Sequence, residues 1–342
     1  MRKYNVAVVG VTGAVGEEIL RVLEEVDFPV AKLIPLASAN SLGKIVKFGE
    51  KDFSVLELTE TAFDENDVEI ALFSAGGSIS EKYAPFAVEA GAVVIDNTSH
   101  FRMDDNVPLV VPEVNPDDIE GWKAKGIIAN PNCSTIQMVQ ALKPLDLNYR
   151  IERVDVSTYQ ATSGAGKKAM EELINQMKDF FEFKLSDSPH EAFNQQIALN
   201  VIPQIDKFTE SGYTKEEEKM VFETRKILNK DIEVSATCVR VPVLRGHSES
   251  LTVTLSQAIE VDEVREVLRK APNIIIMDEP AEANYPMPIM TAERNDTFIG
   301  RIRKDLYRDN IIHLWVVADN LRVGAATNAV RIAQKWIEKE EE

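Results

Sequence analysis

Apolar runs and amphipathic stretches alternate along the first part of the chain. Short β-rich runs predict buried strands at residues 4–9, 32–36, 68–73, 92–95 and 126–129. Between these runs apolar residues recur at helical spacing, as at residues 15–26 and 80–90. Alternation of strands and helices predicts an α/β fold with a parallel, doubly wound sheet.

The pattern changes after residue 150. Alternating apolar and polar residues predict half-exposed strands at residues 151–159, 232–243, 251–256, 298–303 and 311–318. They indicate a second, α+β domain with a mixed or antiparallel sheet. Residues 324–342 have helical spacing, whereas residues 183–206 have no clear period and receive no predicted element.

Length and charge narrow the class of protein. The chain has 342 residues, of which 44% are hydrophobic, so two domains of ~150 residues are the natural expectation. A net charge of −18 argues against nucleic acid or an anionic membrane surface as a partner. No apolar run reaches the ~18 residues of a membrane span. Two cysteines and an N-terminus without a signal-like apolar stretch predict a cytoplasmic protein.

A glycine-rich turn joins the first strand to the first helix. Gly10, Gly13 and Gly16 are spaced G-x-x-G-x-x-G, which lets backbone amides approach a pyrophosphate at a helix N-terminus. An ordinary tight turn is the alternative, but the position at the first strand favours a nucleotide. Small residues at 74–77, after the third strand, would also let a nucleotide lie close.

The end of the second predicted strand bears on the choice of nucleotide. A carboxylate there would bind a ribose 2′-hydroxyl and indicate NAD, and residues 37–41 contain none. Ser38, Ser41 and Lys44 offer hydroxyls and a cation instead. These residues tolerate a 2′-phosphate and favour NADP.

Cys133 lies between a short strand and a helix. Pro131 ends the apolar run at residues 126–129, and helical spacing resumes at Ser134. Unpaired N–H groups and the helix dipole would lower the pKa of a thiol placed there, which makes the sulfur a candidate nucleophile. A small buried hydrophobic residue is the alternative.

Polar residues after other strands supply further candidates. Arg102 follows the fourth predicted strand, Gln160 ends a strand, and His247 follows a strand and a glycine in a polar loop. Histidine, with an ordinary pKa of ~6.5, suits an acid/base role beside a cysteine. Glu216 and Lys219 share a helix face and could meet an ammonium and a phosphate. A solvated arginine, a helix-capping glutamine and a surface ion pair remain the alternatives. No metal-binding motif such as CxxC or HExxH occurs.

Taken together, these segments resemble the aspartate-β-semialdehyde dehydrogenase family. The similarity rests on the Gln160 loop, His247 and residues 8–16, 74–78, 96–102, 108–115, 130–135, 239–243 and 298–305. The resemblance implies NADPH-dependent conversion of L-aspartyl-4-phosphate to L-aspartate-4-semialdehyde through a cysteine thioester. This reaction leads toward lysine, threonine and methionine in bacteria.

The resemblance also implies a role for individual residues. For catalysis it assigns Cys133 as the nucleophile, His247 as the acid/base and Gln160 as the group that orients the acyl intermediate. For the substrate it assigns Arg240 to the carboxylate, Glu216 to the ammonium, Arg102 and Lys219 to the phosphate, and Asn132 to a place beside the phosphate and oxyanion. The implied cofactor-binding residues are Gly10, Thr12, Gly13, Ala14, Val15, Gly16, Ser38, Ser41, Ser74, Gly76, Ser163, Gly164 and Asn320. One departure is Asn40, because relatives often carry an arginine there, in contact with the 2′-phosphate.

The implied architecture is like that of glyceraldehyde-3-phosphate dehydrogenase. Residues 1–130 and 322–342 would form a Rossmann-type NADP-binding domain, and residues 131–321 a catalytic and dimerisation domain of a homodimer. N-acetyl-γ-glutamyl-phosphate reductase shares the chemistry, but the Glu216 and Lys219 pair and Arg240 favour a substrate with a free ammonium. A nucleotide-sensing protein without catalysis is the second alternative, against which Cys133, Gln160 and His247 argue.

Overall fold

A computed structural model describes residues 2–341. The chain divides into two compact units, the first formed by residues up to Asn132 and from Ala325 onward, the second by Cys133–Gly324. Across residues 2–341, no helix has the length and apolar character needed to cross a membrane.

Strands and helices are numbered along the chain. The strands are β1 (Tyr4–Val9), β2 (Val30–Ala37), β3 (Ile45–Phe48), β4 (Lys51–Ser54), β5 (Leu56–Glu57), β6 (Ile70–Phe73), β7 (Val93–Asp96), β8 (Ile127–Ala129), β9 (Ile151–Gln160), β10 (Glu233–Arg240), β11 (His247–Leu255), β12 (Ile274–Ile276), β13 (Thr297–Lys304) and β14 (Ile311–Ala318). The helices are α1 (Ala14–Glu25), α2 (Gly77–Glu89), α3 (Cys133–Tyr149), α4 (Lys167–Phe181), α5 (Lys215–Leu228), α6 (Val261–Arg269), α7 (Pro288–Thr291) and α8 (Thr327–Glu341).

The sheet of the first unit has the strand order β5-β2-β1-β6-β7-β8, and its pairs are parallel. The predicted parallel, doubly wound sheet is therefore confirmed. The strands β1, β6 and β7 are almost wholly buried, as expected when helices cover both faces of a sheet. Since the strands are parallel, their carboxyl ends lie along one edge, where such sheets bind ligands. The short strand β5 and the β3–β4 hairpin were not predicted.

The C-terminal helix α8 belongs to the core of the first unit. Its buried residues Ala329, Ala333 and Trp336 join the apolar cluster formed by β1, α1 and neighbouring strands. The Trp336 ring contacts the rings of Tyr4 and Trp122 edge-on, with centroids 6.2 and 5.7 Å apart. Burial of large apolar side chains, each worth ~1.5–3 kcal/mol, holds the helix there.

The second unit is built on a mixed sheet with the strand order β10-β9-β11-β14-β13-β12. The outer pairs are parallel and the central pairs antiparallel, which confirms the predicted α+β character. Helix α3 packs on one face of this sheet and buries apolar residues such as Ile136, Val139 and Leu142. The same face of β11 buries Leu251 and Val253.

The segment between α4 and α5, which has no periodic pattern, is held by individual contacts. The Gln176 side-chain oxygen accepts hydrogen bonds from the N–H groups of Ile197 and Ala198, both at 3.0 Å. Ile202 exchanges backbone hydrogen bonds of 2.9 Å with Arg240 at the end of β10. The segment is therefore anchored beside a predicted substrate-binding residue.

Candidate active site

A cavity of about 460 Å³ opens at the carboxyl edge of the first unit's sheet. Its lining residues come from the glycine-rich turn and the ends of β2, β5 and β6, and they are Gly10, Thr12, Gly13, Ala37, Ser38, Ala39, Glu57, Leu58, Ser74, Ala75, Ile79 and Tyr83. The volume falls in the range typical of small-molecule sites, ~300–1,000 Å³.

The glycine-rich turn lies where a side chain could not. Gly10 has a φ of +84°, and a Cβ there would come within 3.0 Å of Ala75. A Cβ on Gly16 would lie 2.3 Å from the carbonyl oxygen of Gly10, so this glycine permits the close approach of α1 to β1. The N–H groups in the first turn of α1, which includes Ala14 and Val15, can meet a pyrophosphate. The turn and the cavity fit a dinucleotide.

The predicted 2′-phosphate residues are placed differently from one another. Ser38 lines the cavity, whereas Ser41 is buried, with its hydroxyl 3.4 Å from the Thr12 hydroxyl. The Lys44 ammonium donates to Ser41 at 3.4 Å, so a cation stands close to the cavity wall. Asn40 is exposed in the short 3₁₀ turn Ala39–Ser41.

The ends of β5 and β6 also contribute to the cavity. Ser74 lines the cavity, and Gly76, two residues further along, precedes α2 with a φ of +98°. Glu57 was missed, because β5 is too short to show a pattern. Glu57 lines the cavity because β5 pairs with β2, which places Glu57 opposite Ala37.

Arg102 fixes the loop that leads to the cysteine. Its Nε donates to the Asn130 carbonyl at 2.9 Å and its Nη2 to the Asn97 carbonyl at 2.8 Å. From the other side, the Asn328 amide of α8 donates to the Asn130 side-chain oxygen at 2.7 Å. Asn132, the last residue of this loop, is buried. The loop 130–132 is thus tied to α8 and to the sheet edge within the first unit.

Cys133 is the first residue of α3, as the sequence analysis expected. Gly324 packs directly against it, since a Cβ on Gly324 would lie 2.6 Å from the Cys133 Cβ. Gly324 lies in a π-helical segment, Arg322–Ala326, and such segments are frequent at functional sites. The buried Asp319 carboxylate accepts the N–H groups of Leu321 and Arg322 at 2.9 and 3.3 Å, which anchors this segment.

His247 opens β11 and is fully buried, so the prediction that it lies in a loop was wrong. Its Nδ1 accepts a hydrogen bond of 3.0 Å from the Ala161 N–H. Burial, and then the positive charge of Arg240, lower the pKa of His247 to about 3. At neutral pH the ring is therefore uncharged, and its proton resides on Nε2, because Nδ1 is the acceptor.

The Nε2 of His247 has no hydrogen-bond partner among residues 2–341. A Cβ on Gly164 would lie 3.2 Å from this Nε2 and 3.0 Å from Nη1 of Arg240. Any side chain at position 164 would therefore press against the proton-bearing nitrogen of His247 and against the Arg240 guanidinium.

Arg240 ends β10 beside Gln160, its partner in the parallel ladder. Its Nη1 donates to the Ala161 carbonyl at 2.7 Å, so Ala161 orients both Arg240 and His247. Burial lowers the pKa of Arg240. The charges of Glu216 and Cys133, which lie close enough to interact with the guanidinium, partly oppose this effect and raise the pKa. A buried cation therefore stands near the cysteine.

The Gln160 side chain is held at both ends. Its oxygen accepts from the Thr158 hydroxyl at 3.0 Å, and its amide donates to Glu216 at 3.0 Å. The other oxygen of Glu216 accepts from Lys219 at 3.1 Å, and Lys219 also donates to Asp206 at 3.1 Å. Burial lowers the pKa of Lys219, but the two carboxylates outweigh burial and raise it overall, so Lys219 is charged.

Helix α5 brings Glu216 and Lys219 to this network. The Thr214 hydroxyl accepts the Glu217 N–H at 3.3 Å, and the Glu217 carboxylate accepts the Thr214 N–H at 2.7 Å. This capping box fixes the first turn of the helix, where Glu216 lies.

Asn320 connects two segments of the second unit. Its side-chain oxygen accepts from the Ser163 hydroxyl and from the Gly246 N–H, both at 2.9 Å. These contacts hold the buried Asn320 side chain in place.

The predicted site residues thus form two groups, one in each unit. The glycine-rich turn, Ser38, Ser74, Gly76, Arg102 and Asn132 belong to the first unit. Cys133, Gln160, Ser163, Gly164, Glu216, Lys219, Arg240, His247 and Asn320 belong to the second. Among residues 2–341, no three His, Cys, Asp or Glu side chains cluster as metal ligands would. Sequence reasoning missed Ala161 and Gly324, because the first acts through its backbone and the second through lacking a side chain.

Comparison with known proteins matches a different family model to each of the two units. Residues 5–122 match the family described as "Semialdehyde dehydrogenase, NAD binding domain", and residues 142–323 match "Semialdehyde dehydrogenase, dimerisation domain". The first unit is thus a nicotinamide-nucleotide-binding domain.

Whole proteins match over nearly their full length. An aspartate-semialdehyde dehydrogenase from Campylobacter jejuni is 62% identical over 98% of both chains. A structure of aspartate semialdehyde dehydrogenase II complexed with ASA from Vibrio cholerae covers 99% of both chains, with 48% identity and a TM-score of 0.95. An aspartate semialdehyde dehydrogenase structure with NADP from Candida albicans is 25% identical over 97% of this chain and 98% of its own, with a TM-score of 0.73. From these similarities and the geometry of the site, the chain belongs to the aspartate-semialdehyde dehydrogenase family.

Proposed function

We propose that the protein reduces L-aspartyl-4-phosphate to L-aspartate-4-semialdehyde with NADPH and releases phosphate. In the reverse direction, aspartate semialdehyde is oxidised and phosphorylated. The observation that carries the proposal is a cluster in the second unit. It contains Cys133 at a helix start, a neutral, proton-bearing His247, and Arg240, whose charge interacts with those of Glu216 and Cys133.

Cys133 is the proposed nucleophile. Its thiolate attacks the acyl phosphate, the sulfur–carbon bond forms, the carbon–oxygen bond to phosphate breaks, and a thioester remains. Negative charge grows on the carbonyl oxygen in this step. The N–H groups at the start of α3 and the Nε2 proton of His247 are the proposed donors to that oxygen, each worth ~3 kcal/mol in such a role.

The second step regenerates the thiolate. When bound, the nicotinamide nucleotide supplies the hydride that reduces the thioester. The Nε2–H group of His247 again donates a hydrogen bond to the oxygen as negative charge develops there, and the carbon–sulfur bond then breaks, which expels the Cys133 thiolate and leaves the aldehyde. A neutral histidine is suited to both donations, because it holds its proton at neutral pH without carrying a charge.

The substrate's charged groups select the aspartyl compound. Arg240 is the proposed partner of the substrate carboxylate, in a bidentate geometry that lysine would not reproduce. Glu216 is the proposed partner of the ammonium, held ready by Gln160 and Lys219. Arg102, Lys219 and Asn132 are the proposed phosphate-binding residues. The N-acetylated substrate of N-acetyl-γ-glutamyl-phosphate reductase lacks the ammonium, so it would offer no positive charge to Glu216.

NADP is the proposed nucleotide. Ser38 at the cavity and Lys44 beside Ser41 support a 2′-phosphate, as does the related structure solved with NADP. Asn40, in place of an arginine, and the Glu57 carboxylate in the cavity wall weaken the preference. We therefore expect NADP to be preferred but NAD to be used measurably.

The assembly and the compartment complete the proposal. The match of residues 142–323 to a dimerisation domain supports a homodimer. Cys133 forms no disulfide, and a thiol that must stay reduced to act as the proposed nucleophile is typical of the cytoplasm.

The test is oxidation of L-aspartate-4-semialdehyde by the purified protein, followed by nicotinamide absorbance. We expect activity that depends on added phosphate and is faster with NADP than with NAD. Cys133→Ser should abolish turnover while NADPH binding, measured by fluorescence, survives, because the cofactor cavity lies in the first unit.

Three results would count against the proposal. Activity with N-acetyl-glutamate semialdehyde but none with aspartate semialdehyde would instead indicate an N-acetyl-γ-glutamyl-phosphate reductase. Full activity of the Cys133→Ser protein would exclude the thioester, and a faster reaction with NAD would exclude the NADP preference.

A further inference from the structure

Two buried polar residues, Glu249 of β11 and Gln137 of α3, lie in the second unit close in sequence to His247 and Cys133. Residues 247, 249, 251, 253 and 255 of β11 point to one face of the sheet, because strand side chains alternate. Leu251, Val253 and Leu255 fill the apolar core on this face. Glu249 lies between them and His247 and is fully buried.

Helix α3 presents a matching residue. Gln137 follows Cys133 by four positions, which places both on the same side of the helix. Gln137 is 1% exposed, and its side chain acts on the Glu249 carboxyl. Helix α3 packs on β11, and Gln137 and Glu249 lie one helical turn from Cys133 and two strand residues from His247, respectively.

The pair is costly where it lies. Within residues 2–341, neither the carboxyl oxygens of Glu249 nor the amide atoms of Gln137 complete a well-directed hydrogen bond. Burial raises the pKa of Glu249 well above its ordinary value, which favours the neutral carboxylic acid over the carboxylate. Two apolar residues of similar size would stabilise this core more, because they would leave no buried polar group unsatisfied.

We propose that Glu249 and Gln137 are positioning residues that set the place of Cys133 on α3 relative to His247 on β11. As a carboxylic acid, Glu249 can donate toward the Gln137 amide oxygen and accept from its N–H₂ group, whereas two apolar side chains can slide past each other. The inference rests on the proposed function, since it concerns the efficiency of that reaction.

The decisive variants replace a polar side chain of the pair by an apolar one of similar volume. We expect Glu249→Leu and Gln137→Leu each to lower kcat about 10- to 100-fold, the scale of an ångström of misplacement, with KM nearly unchanged. Both variants should unfold at or above the wild-type temperature. Glu249→Gln, which keeps a donor and an acceptor, should keep most of the wild-type kcat.

A matched control on the same face of β11 is Val253→Ala. This substitution removes core volume at a position four residues further from His247 than Glu249 is. We expect a lower unfolding temperature with unchanged kcat, which separates positioning from general stability.

The results that overturn the inference differ from those that overturn the proposed function. Wild-type kcat in Glu249→Leu, or a kcat of Glu249→Gln as low as that of Glu249→Leu, would refute the positioning pair while leaving the reaction intact. A raised KM with unchanged kcat would refute it as well. A wild-type protein inactive on aspartate semialdehyde would refute the proposed function instead. Alkylation of Cys133, which needs no substrate, would then still test the pair, because slower alkylation in Glu249→Leu is expected and equal rates would overturn it.

Discussion

At the scale of single residues, a backbone group decides what His247 can do. The Ala161 N–H occupies Nδ1, so the only proton of the neutral ring lies on Nε2. A histidine beside a catalytic cysteine is commonly assigned the role of general base, but here the Nε2–H group makes His247 a hydrogen-bond donor. Its part in the proposed reaction is therefore to meet negative charge on oxygen rather than to remove the proton of Cys133.

The depressed pKa of His247 predicts how stability depends on pH. The unfolded chain binds a proton at this residue near pH 6.5, and the folded chain only near pH 3. This contribution to stability is complete above pH 6.5 and is lost as pH falls, by about 1.4 kcal/mol per pH unit, because the unfolded state then binds the extra proton. His247→Gln cannot titrate and should lose less stability between pH 6.5 and 4.

Urea unfolding of wild type and His247→Gln at several pH values in that window measures the difference. The exposed His190→Gln is the control, and its stability should follow the wild-type curve. Parallel curves for wild type and His247→Gln would contradict a buried, neutral histidine.

At the scale of elements, the segment Arg322–Ala326 acts on the start of α3 through Gly324. Gly324→Ala would bring a methyl group within 2.6 Å of the Cys133 Cβ, a distance that real atoms do not tolerate. Either the segment or the cysteine must move. We expect kcat to fall about 10- to 100-fold and the alkylation rate of Cys133 to change, because the sulfur leaves its place.

Gly121→Ala is the matched control for this substitution. A Cβ there would meet Pro108 at 3.6 Å, an ordinary contact, so kcat should stay at the wild-type value. Equal kcat for Gly324→Ala and wild type would show that the segment yields without moving Cys133.

The elements also show why some predictions succeeded and others failed. Buried parallel strands such as β1 and β6 are continuous apolar runs, and their pattern alone identified them. The start of β11 was missed because His247 and Glu249 occupy core-facing positions, where the alternation rule expects apolar residues. Helix α3 continues past Pro144 to Tyr149, because packing of its apolar residues outweighs the one hydrogen bond that proline lacks.

Site residues were predictable where chemistry shows in the side chain. Cys133 and the glycine-rich turn stand out from their spacing alone. The contributions of Ala161, Gly324 and the Gln137 and Glu249 pair depend on tertiary contacts between residues far apart in sequence, so no local pattern could reveal them. The roles assigned to Gln160, Glu216 and Arg240 come from resemblance and stay predictions.

At the scale of the whole molecule, the second sheet leaves one face free of α3. Ser157 of β9 lies opposite Ser250 of β11, and the rings of Tyr159 and Trp315 meet on the same face at 5.4 Å. Tyr159 is 38% exposed. Aromatic groups among small polar residues are typical of the centre of a protein interface. With the match to a dimerisation domain, this face is the proposed contact between two copies.

A charge placed in the middle of this face tests the proposed dimer. Wild type should sediment with a mass about twice 38.2 kDa, and Ser157→Arg with a mass close to that of one chain. The arginine would bury an unpaired charge in an interface of a standard size of ~1,600 Å², which such an interface does not tolerate. Ser54→Arg, on the exposed strand β4 of the first unit, adds the same charge elsewhere and should leave the mass at the dimer value. A dimer that persists in Ser157→Arg would place the contact on another surface, and a wild-type monomer would exclude the homodimer.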